Sequence, residues 1–268
     1  MNEAELLFTD ILNCSRQSLY LDKDMPLGKS GSSLACSVLK RRMRGEPIQY
    51  ILGKTEFMGL EFKVTPDVFI PRPETEILVE KTIAIVRSSE LGVRSILDIG
   101  TGSGCIAVSL AKFLPEAEIF ASDTSELALK VAKENAKLNN VESRIDFISC
   151  DLFYSKLITP NSYNCIVSNP PYIPTTEIEA LQPEIQYEPR LALAGGEDGL
   201  DFYRRLIKES PAYLKKGGFL IMEMGFKQKD AIKNILQESG CFAIIDSLKD
   251  YNNIDRVITA QRRERPNG

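Results

Sequence analysis

The chain of 268 residues contains no histidine. That absence excludes histidine-based triads, a histidine general base and histidine metal ligation. Its six cysteines, Cys14, Cys36, Cys105, Cys150, Cys165 and Cys241, include no C-x-x-C pair. All-cysteine zinc is therefore poorly supported, no metal is expected, and the thiols read as small core residues in a reducing compartment. No stretch approaches about 18 uncharged apolar residues, so no membrane span is expected. The opening MNEAELLFTD is acidic and lacks a basic segment followed by an apolar run, which predicts a cytoplasmic location. Basic charge is also in short supply, with 33 Lys and Arg against 37 Asp and Glu for a net charge of −4. A whole-protein nucleic-acid binder has the opposite balance. Whatever chemistry occurs here uses other groups.

What is present is a chain long enough for one large domain and a smaller one, with 43% hydrophobic residues. Residues 1–53 read as helical: Leu6, Leu7, Ile11 and Leu12, then Leu34, Val38 and Leu39, recur at three- and four-residue spacing. The break MPLGKSGSS at 25–33 separates a first helix from a second. In TEFMGLEFKV, Phe57, Phe62 and Val64 flank Gly59 as in a small hairpin, and PRPE from Pro71 reads as a stiff hinge. From residue 74 helix and strand alternate, with strands expected at 95–99, 118–122, 145–149, 165–168, 218–223, 242–247 and 255–261. Helices are expected at 74–86, 103–113, 125–139, 200–214 and 228–238. The pattern predicts an α/β fold, a mostly parallel sheet covered on both faces. The last two strands are joined by the short segment DYNNI, so that pair must be antiparallel.

DIGTGSG sets Gly100, Thr101, Gly102, Ser103 and Gly104 between a strand and a helix. Glycine there permits a sharp turn and close approach of a ligand, although a plain tight turn has the same composition. The spacing is G-x-G-x-G, whereas a dinucleotide fold prefers G-x-G-x-x-G. Asp123 follows the next strand, where a carboxylate can accept both hydroxyls of a ribose. Asp151 follows the third strand and is a candidate partner for an adenine amino group. Either aspartate alone is an ordinary turn residue. Together, three successive strand ends favour a nucleoside cleft, with S-adenosylmethionine preferred over NAD.

The fourth strand ends in Asn169-Pro170-Pro171-Tyr172. The prolines fix φ and leave carbonyls without competing donors nearby. The Asn169 side-chain oxygen and the Pro170 carbonyl can accept the two N–H bonds of a planar amino group, and the Tyr172 ring can stack on it. Such a tetrapeptide can equally open an ordinary loop. Arg72 and Glu74–Glu76 are candidates to brace the cleft, and Glu223 to line it or support the NPPY loop. The basic run Lys40–Arg44 reads as a solvated helix face or a surface for a partner, and Arg262–Arg265 as a charged tail.

These segments resemble the PrmC (HemK) family of protein-(glutamine-N5) methyltransferases. The resemblance rests on RRMRGEPIQYILG (41–53), FIPRPETEILVE (69–80), DIGTGSGCIAVSLA (98–111), IVSNPPYIP (166–174), EPRLALAGGEDGLDFYR (188–204), EMG with Gln228, and DRVITA (255–260). It implies a Rossmann-like, seven-stranded methyltransferase domain at 74–268, preceded by a hairpin and hinge at 54–73 and a helical substrate-recognition domain at 1–53. It implies transfer of a methyl group from S-adenosylmethionine to the glutamine amide of the Gly-Gly-Gln motif in peptide-chain release factors, supporting translation termination. Residues 100–104, Asp123, Asp151, Leu152 and Asn169 would bind the cofactor. Residues 169–172 would bind the glutamine, with Asn169, Pro170 and Tyr172 catalytic. In two places the chain departs from the pattern: Asn253 stands where glycine is common, and Leu152 where some members have tryptophan near the adenine. Asparagine tolerates a left-handed backbone, so the first should matter little. The NPPY element is shared with adenine-N6 methyltransferases, so a nucleic-acid substrate is the runner-up, and a non-catalytic cofactor-binding scaffold the next. Acidic charge disfavours the first, and the intact motifs the second. A monomer acting on a protein, with no membrane and no direct nucleic-acid substrate, is expected.

Overall fold

The computed structural model describes residues 2–22, 26–88 and 95–263. The chain opens with helices α1 (Glu3–Leu12), α2 (Arg16–Leu21), α3 (Gly28–Arg42) and α4 (Ile48–Leu52). Asn2 caps α1 reciprocally with Glu5, each side chain accepting the other's backbone N–H at 2.9 Å. Leu7, Val38 and Ile48 form the small core that holds α1, α3 and α4 together. Helix α3 begins inside the segment expected to be a break, whose residue 25 lies outside the described residues. The reason is packing: a Cβ on Gly31 would lie 3.2 Å from Leu27 and 3.4 Å from Ile11, so the small residues let the helix sit close against α1. Tertiary contact here outweighs weak helix propensity.

Strands β1 (Lys54–Phe57) and β2 (Leu60–Lys63) form the expected hairpin, turning through Met58 and Gly59. The Met58 N–H donates to Glu76 at 2.6 Å, which anchors the turn to the next helix. The hairpin is also fastened to the following domain. Asn135 accepts from Lys63 N at 2.7 Å and donates to Lys63 O at 2.9 Å, and Asn139 donates to Glu61 O.

The remaining elements are α5 (Pro73–Ser88), β3 (Ser95–Ile99), α6 (Cys105–Phe113), β4 (Glu118–Asp123), α7 (Glu126–Leu138), β5 (Ile145–Ser149), β6 (Tyr163–Ser168), α8 (Arg190–Leu193), α9 (Asp201–Glu209), β7 (Leu214–Glu223), α10 (Lys229–Glu238), β8 (Phe242–Lys249) and β9 (Asp255–Arg262). Helix α9 stops short of the expected 214 because Pro211 sits in a following 3₁₀ turn, and proline cannot continue the helical hydrogen bonds. The freed residues extend β7 back to Leu214. Asn253 does adopt a left-handed backbone, at φ 63°.

Seven strands make one sheet in the order β5-β4-β3-β6-β7-β9-β8. The first five of these pair in parallel, and β9 runs antiparallel to both β7 and β8. Alternate residues of a strand point to opposite faces, and here both faces are dry. Ile96, Cys165, Val167 and Ile221 pack with α5 and α6 residues such as Leu78, Ile106 and Leu110. Leu97, Ile166, Leu220 and Met222 pack on the other face with Leu206, Ile232 and Leu236 from α9 and α10. The connection order reverses beside β3, which has β4 on one flank and β6 on the other. A crevice opens at the carboxyl ends of strands at such a switch point.

Candidate active site

At that switch point lies a cleft of about 680 Å³, within the range usual for small-molecule sites, roughly 300–1,000 Å³. The glycine turn after β3 forms its floor. Gly100 N and Thr101 N both donate to Ser122 O at 2.9 Å, which ties the turn to the end of β4. Gly100 and Gly102 have φ of 73° and 54°, and a Cβ built on either meets no atom within 4 Å, so both backbones face open space. Thr101 and Ser103 are buried beside them. Beneath the turn Asp98 is fully buried; Thr101 donates to its Oδ2 at 2.7 Å, while Oδ1 has no hydrogen-bond partner among the described residues. Burial pushes its carboxyl up to about 7.

Asp123, at the end of β4, lines the same cleft. Its Oδ2 accepts from Gly102 N at 2.8 Å and its Oδ1 from Ser125 N at 2.9 Å, so the carboxylate clasps the glycine turn. Burial raises it above the usual carboxylate range against the pull of these donors. Each oxygen keeps lone pairs for a further donor. Asp151 also lines the cleft, but its Oδ2 is engaged by Arg205 of α9 at 2.7 Å, and both side chains are about half exposed. The carboxylate expected to face an adenine is thus already paired with an arginine that no local pattern marks. Leu152 is buried at the cleft wall with φ of 50°, a conformation costly for leucine that turns the chain away from β5.

Across the cleft, Ser168 donates to Ile99 O at 2.7 Å and so fixes the start of NPPY against the glycine turn. Asn169 gives its Nδ2 to Thr75 Oγ1 at 3.1 Å. Thr75, in the first turn of α5, gives its own hydroxyl proton to Glu223 Oε2 at 2.7 Å. Among the described residues nothing donates to the Pro170 carbonyl. Tyr172 is half-buried and packed on the core; burial holds its phenol well above the ordinary value, so it stays protonated. Gln228 gathers three loops here, accepting from Gly225 N at 3.0 Å and donating to Tyr172 O at 2.9 Å and Gly199 O at 3.3 Å. The GGEDG stretch has a steric reason, because a Cβ on Gly199 would lie 2.3 Å from Tyr172 O.

The segment read as a hinge forms part of the wall: Val68, Phe69 and Pro71 line the cleft. Arg72 ion-pairs with the buried Glu188 and lies 4.8 Å over the Phe69 ring. Glu188 also accepts from Ile70 N at 3.2 Å. Burial raises Glu188 even with Arg72 beside it. Glu223, buried at the end of β7, supports the NPPY loop through Thr75 and does not line the cleft. Elsewhere, Arg41 pairs with Glu46, and Arg42 with Glu3 and Glu184, so two of the four cations in the basic run Lys40–Arg44 are neutralised within the chain. Arg262 closes β9 and donates to Leu214 O; residues 264 and 265 lie outside the described residues. Among the described residues no cluster could hold a metal ion, and no helix is long and apolar enough to cross a membrane.

The parallel sheet with its antiparallel end strands, the glycine turn and the NPPY loop define a methyltransferase. Residues 75–185 match the model of the methyltransferase small domain, and residues 1–53 that of the PrmC N-terminal domain. The release factor glutamine methyltransferase of Geobacter sulfurreducens is 43% identical, covering 96% of this chain and 87% of its own. That of Thermodesulfovibrio yellowstonii is 41% identical, covering 98% and 92%. The chain belongs to the release factor glutamine methyltransferase family. A solved methyltransferase from Pyrococcus furiosus shares the fold, with a TM-score of 0.56 at 17% identity over 85% of this chain and 99% of that one.

Proposed function

We propose that the protein methylates the side-chain amide nitrogen of the glutamine in the Gly-Gly-Gln motif of peptide-chain release factors, with S-adenosylmethionine as methyl donor. Membership of the family supports the activity. What supports the chemistry is that Asn169 and Pro170 both line the cleft, with the Asn169 Nδ2 engaged by Thr75 and its oxygen left as an acceptor.

The residues fit the donor molecule. Gly100 and Gly102 leave room for a ligand against the backbone, and Asp123 keeps lone pairs for ribose hydroxyls. Leu152 offers an apolar wall for adenine, and Asp123 and Asp151, which line the cleft, suit a ligand carrying positive charge. When bound, S-adenosylmethionine supplies a methyl group on a sulfonium sulfur. The protein's part is to hold and polarise the amide. An amide nitrogen is a poor nucleophile because its lone pair is shared with the carbonyl. Asn169 and Pro170, by accepting both N–H bonds, push electron density onto nitrogen and stabilise the positive charge that develops. Tyr172 orients the plane of the amide, so that proximity supplies much of the rate. No histidine is needed.

In this reading residues 1–53 recognise the protein substrate, 54–73 connect and form one cleft wall, and 74–268 carry the chemistry. Labelled S-adenosylmethionine, offered with a release factor, its Gln→Ala variant or DNA, tests it. Label on the factor that vanishes in the variant is expected. Label on DNA, or none on the factor despite cofactor binding, would overturn it.

A further inference from the structure

The Asn169 side chain has two ends of opposite character, and only one of them helps a glutamine amide. Its oxygen accepts an N–H bond; its NH₂ would confront the substrate's own donors. Something has to decide which end meets the cleft, and the two hydrogen bonds behind Asn169 do so. Thr75 and Glu223 are each 2% exposed, so no water competes for their polar atoms. Three chain segments supply the three groups: the loop after β6, the first turn of α5 and the end of β7.

A hydroxyl has one proton and a carboxylate has none. With Glu223 ionised, the Thr75 proton must point to Glu223, as observed at 2.7 Å. The Thr75 oxygen can then only accept, and the sole donor on Asn169 is Nδ2, observed at 3.1 Å. The Asn169 oxygen is thereby turned away from Thr75 and kept for the substrate. With Glu223 protonated, the carboxyl can donate to Thr75. The Thr75 proton is then released to the Asn169 oxygen, and a half-turn of the amide presents NH₂ to the cleft.

We propose that Glu223, acting through Thr75, is a positioning residue that sets the acceptor end of Asn169 towards the glutamine amide, and that only its carboxylate form does so. This rests on the proposed function of the same site. The groups around Glu223 set where it titrates. The Thr75 hydroxyl, Arg256 from β9 and the Asn169 amide itself favour the carboxylate, Glu74 from α5 opposes it, and Tyr172, Tyr203 and the Cys105 thiol stay neutral nearby. Burial is the largest influence and carries the group to about 7. The switch therefore lies within the working range of pH.

The test uses the full chain with a release factor. For the wild type, kcat should rise with pH as a single ionisation near 7 and then level, with KM for the factor unchanged. Glu223→Gln should lose that limb and run at a pH-independent kcat on the order of 10- to 100-fold lower, the effect of one charge-directed hydrogen bond. Thr75→Val should lose a similar factor, and Thr75→Ser, which keeps the hydroxyl, should restore most of it. A second readout needs no turnover. In the free protein the side-chain amide resonances of Asn169 should titrate with the same midpoint as the Glu223 carboxyl carbon, and stop doing so in Thr75→Val. An Asn169 signal that ignores the Glu223 titration would overturn the proposal, as would a Glu223→Gln enzyme that keeps the rising limb. Absence of methyl transfer at every pH would instead sink the proposed function, and the resonance test would still stand.

Discussion

Replacing Asp98 with asparagine should make the protein's stability less sensitive to alkaline pH. Asp98 is wholly buried under the glycine turn, with one oxygen bound by Thr101 and the other without a partner among the described residues. Burial lifts its carboxyl to about 7, against 3.8 for a free side chain. The folded value is the higher one, so between these limits the native protein holds a proton that the unfolded chain has released. Stability then falls as pH rises through that window and stays low above it. Each pH unit inside the window removes about 1.4 kcal/mol. From about pH 5 to about pH 9 the loss integrates to about 3 kcal/mol, since part of the penalty is already present at the acid end. Asparagine keeps an acceptor for Thr101 and has no charge to bury, so the variant escapes that loss. Glu223 titrates near 7 in both proteins and cancels from the difference. Urea unfolding followed by circular dichroism at a series of pH values measures it: the stability of Asp98→Asn relative to wild type should climb towards high pH. Two curves that run parallel across the range would refute the reasoning.

Other substitutions probe the cleft. Asn169→Ala should lower kcat roughly 100- to 1,000-fold, the usual loss for a donor or acceptor aimed at developing charge; near-wild-type label transfer with cofactor bound would remove Asn169 from the chemistry. Asp123→Ala should weaken S-adenosylmethionine binding roughly 10- to 100-fold, as expected for losing charged hydrogen bonds, and titration calorimetry would detect an unchanged affinity. Arg72→Met leaves the buried Glu188 without its cation and should destabilise the fold by about 3 kcal/mol. Adding Glu188→Gln should recover part of that in thermal unfolding, and no recovery would show that the pair acts through packing alone.

Much of the catalytic domain was legible because its signals are local. Apolar runs such as Ser95–Ile99 end in turn residues, and Gly100–Gly104, Asp123, Asp151 and Asn169–Tyr172 all fall at strand ends, where an open parallel sheet collects its ligands. The helix that starts at Gly28 and the early stop before Pro211 depart from the sequence pattern, one because packing against Ile11 overrides propensity, the other because the break lies inside an apolar pattern. Long-range partners left no local trace. Thr75 and Glu223 are 148 residues apart, Arg72 and Glu188 116, and Asp151 and Arg205 54. GGEDG was recognisable as a motif, yet its reason, the close approach of Gly199 to Tyr172 O, is a property of three dimensions.

The distance from Thr75 to Glu223 has a consequence for the order in which the protein is made. Synthesis delivers residues from the amino end at about 5–20 per second, and domains begin to fold as they emerge. Strands β3, β4 and β5, with the glycine turn and Asp123, are complete before Asn169 has been added. A nascent chain can therefore build the glycine turn and its Asp123 clasp while the amide of Asn169 is still free to rotate. Thr75 waits through 148 further residues for the carboxylate that gives its hydroxyl a direction. Gln228, which ties Tyr172 to the neighbouring loops, arrives later still. The Asn169 amide is thus among the last groups of the cleft to be fixed during translation, well after the glycine turn and Asp123.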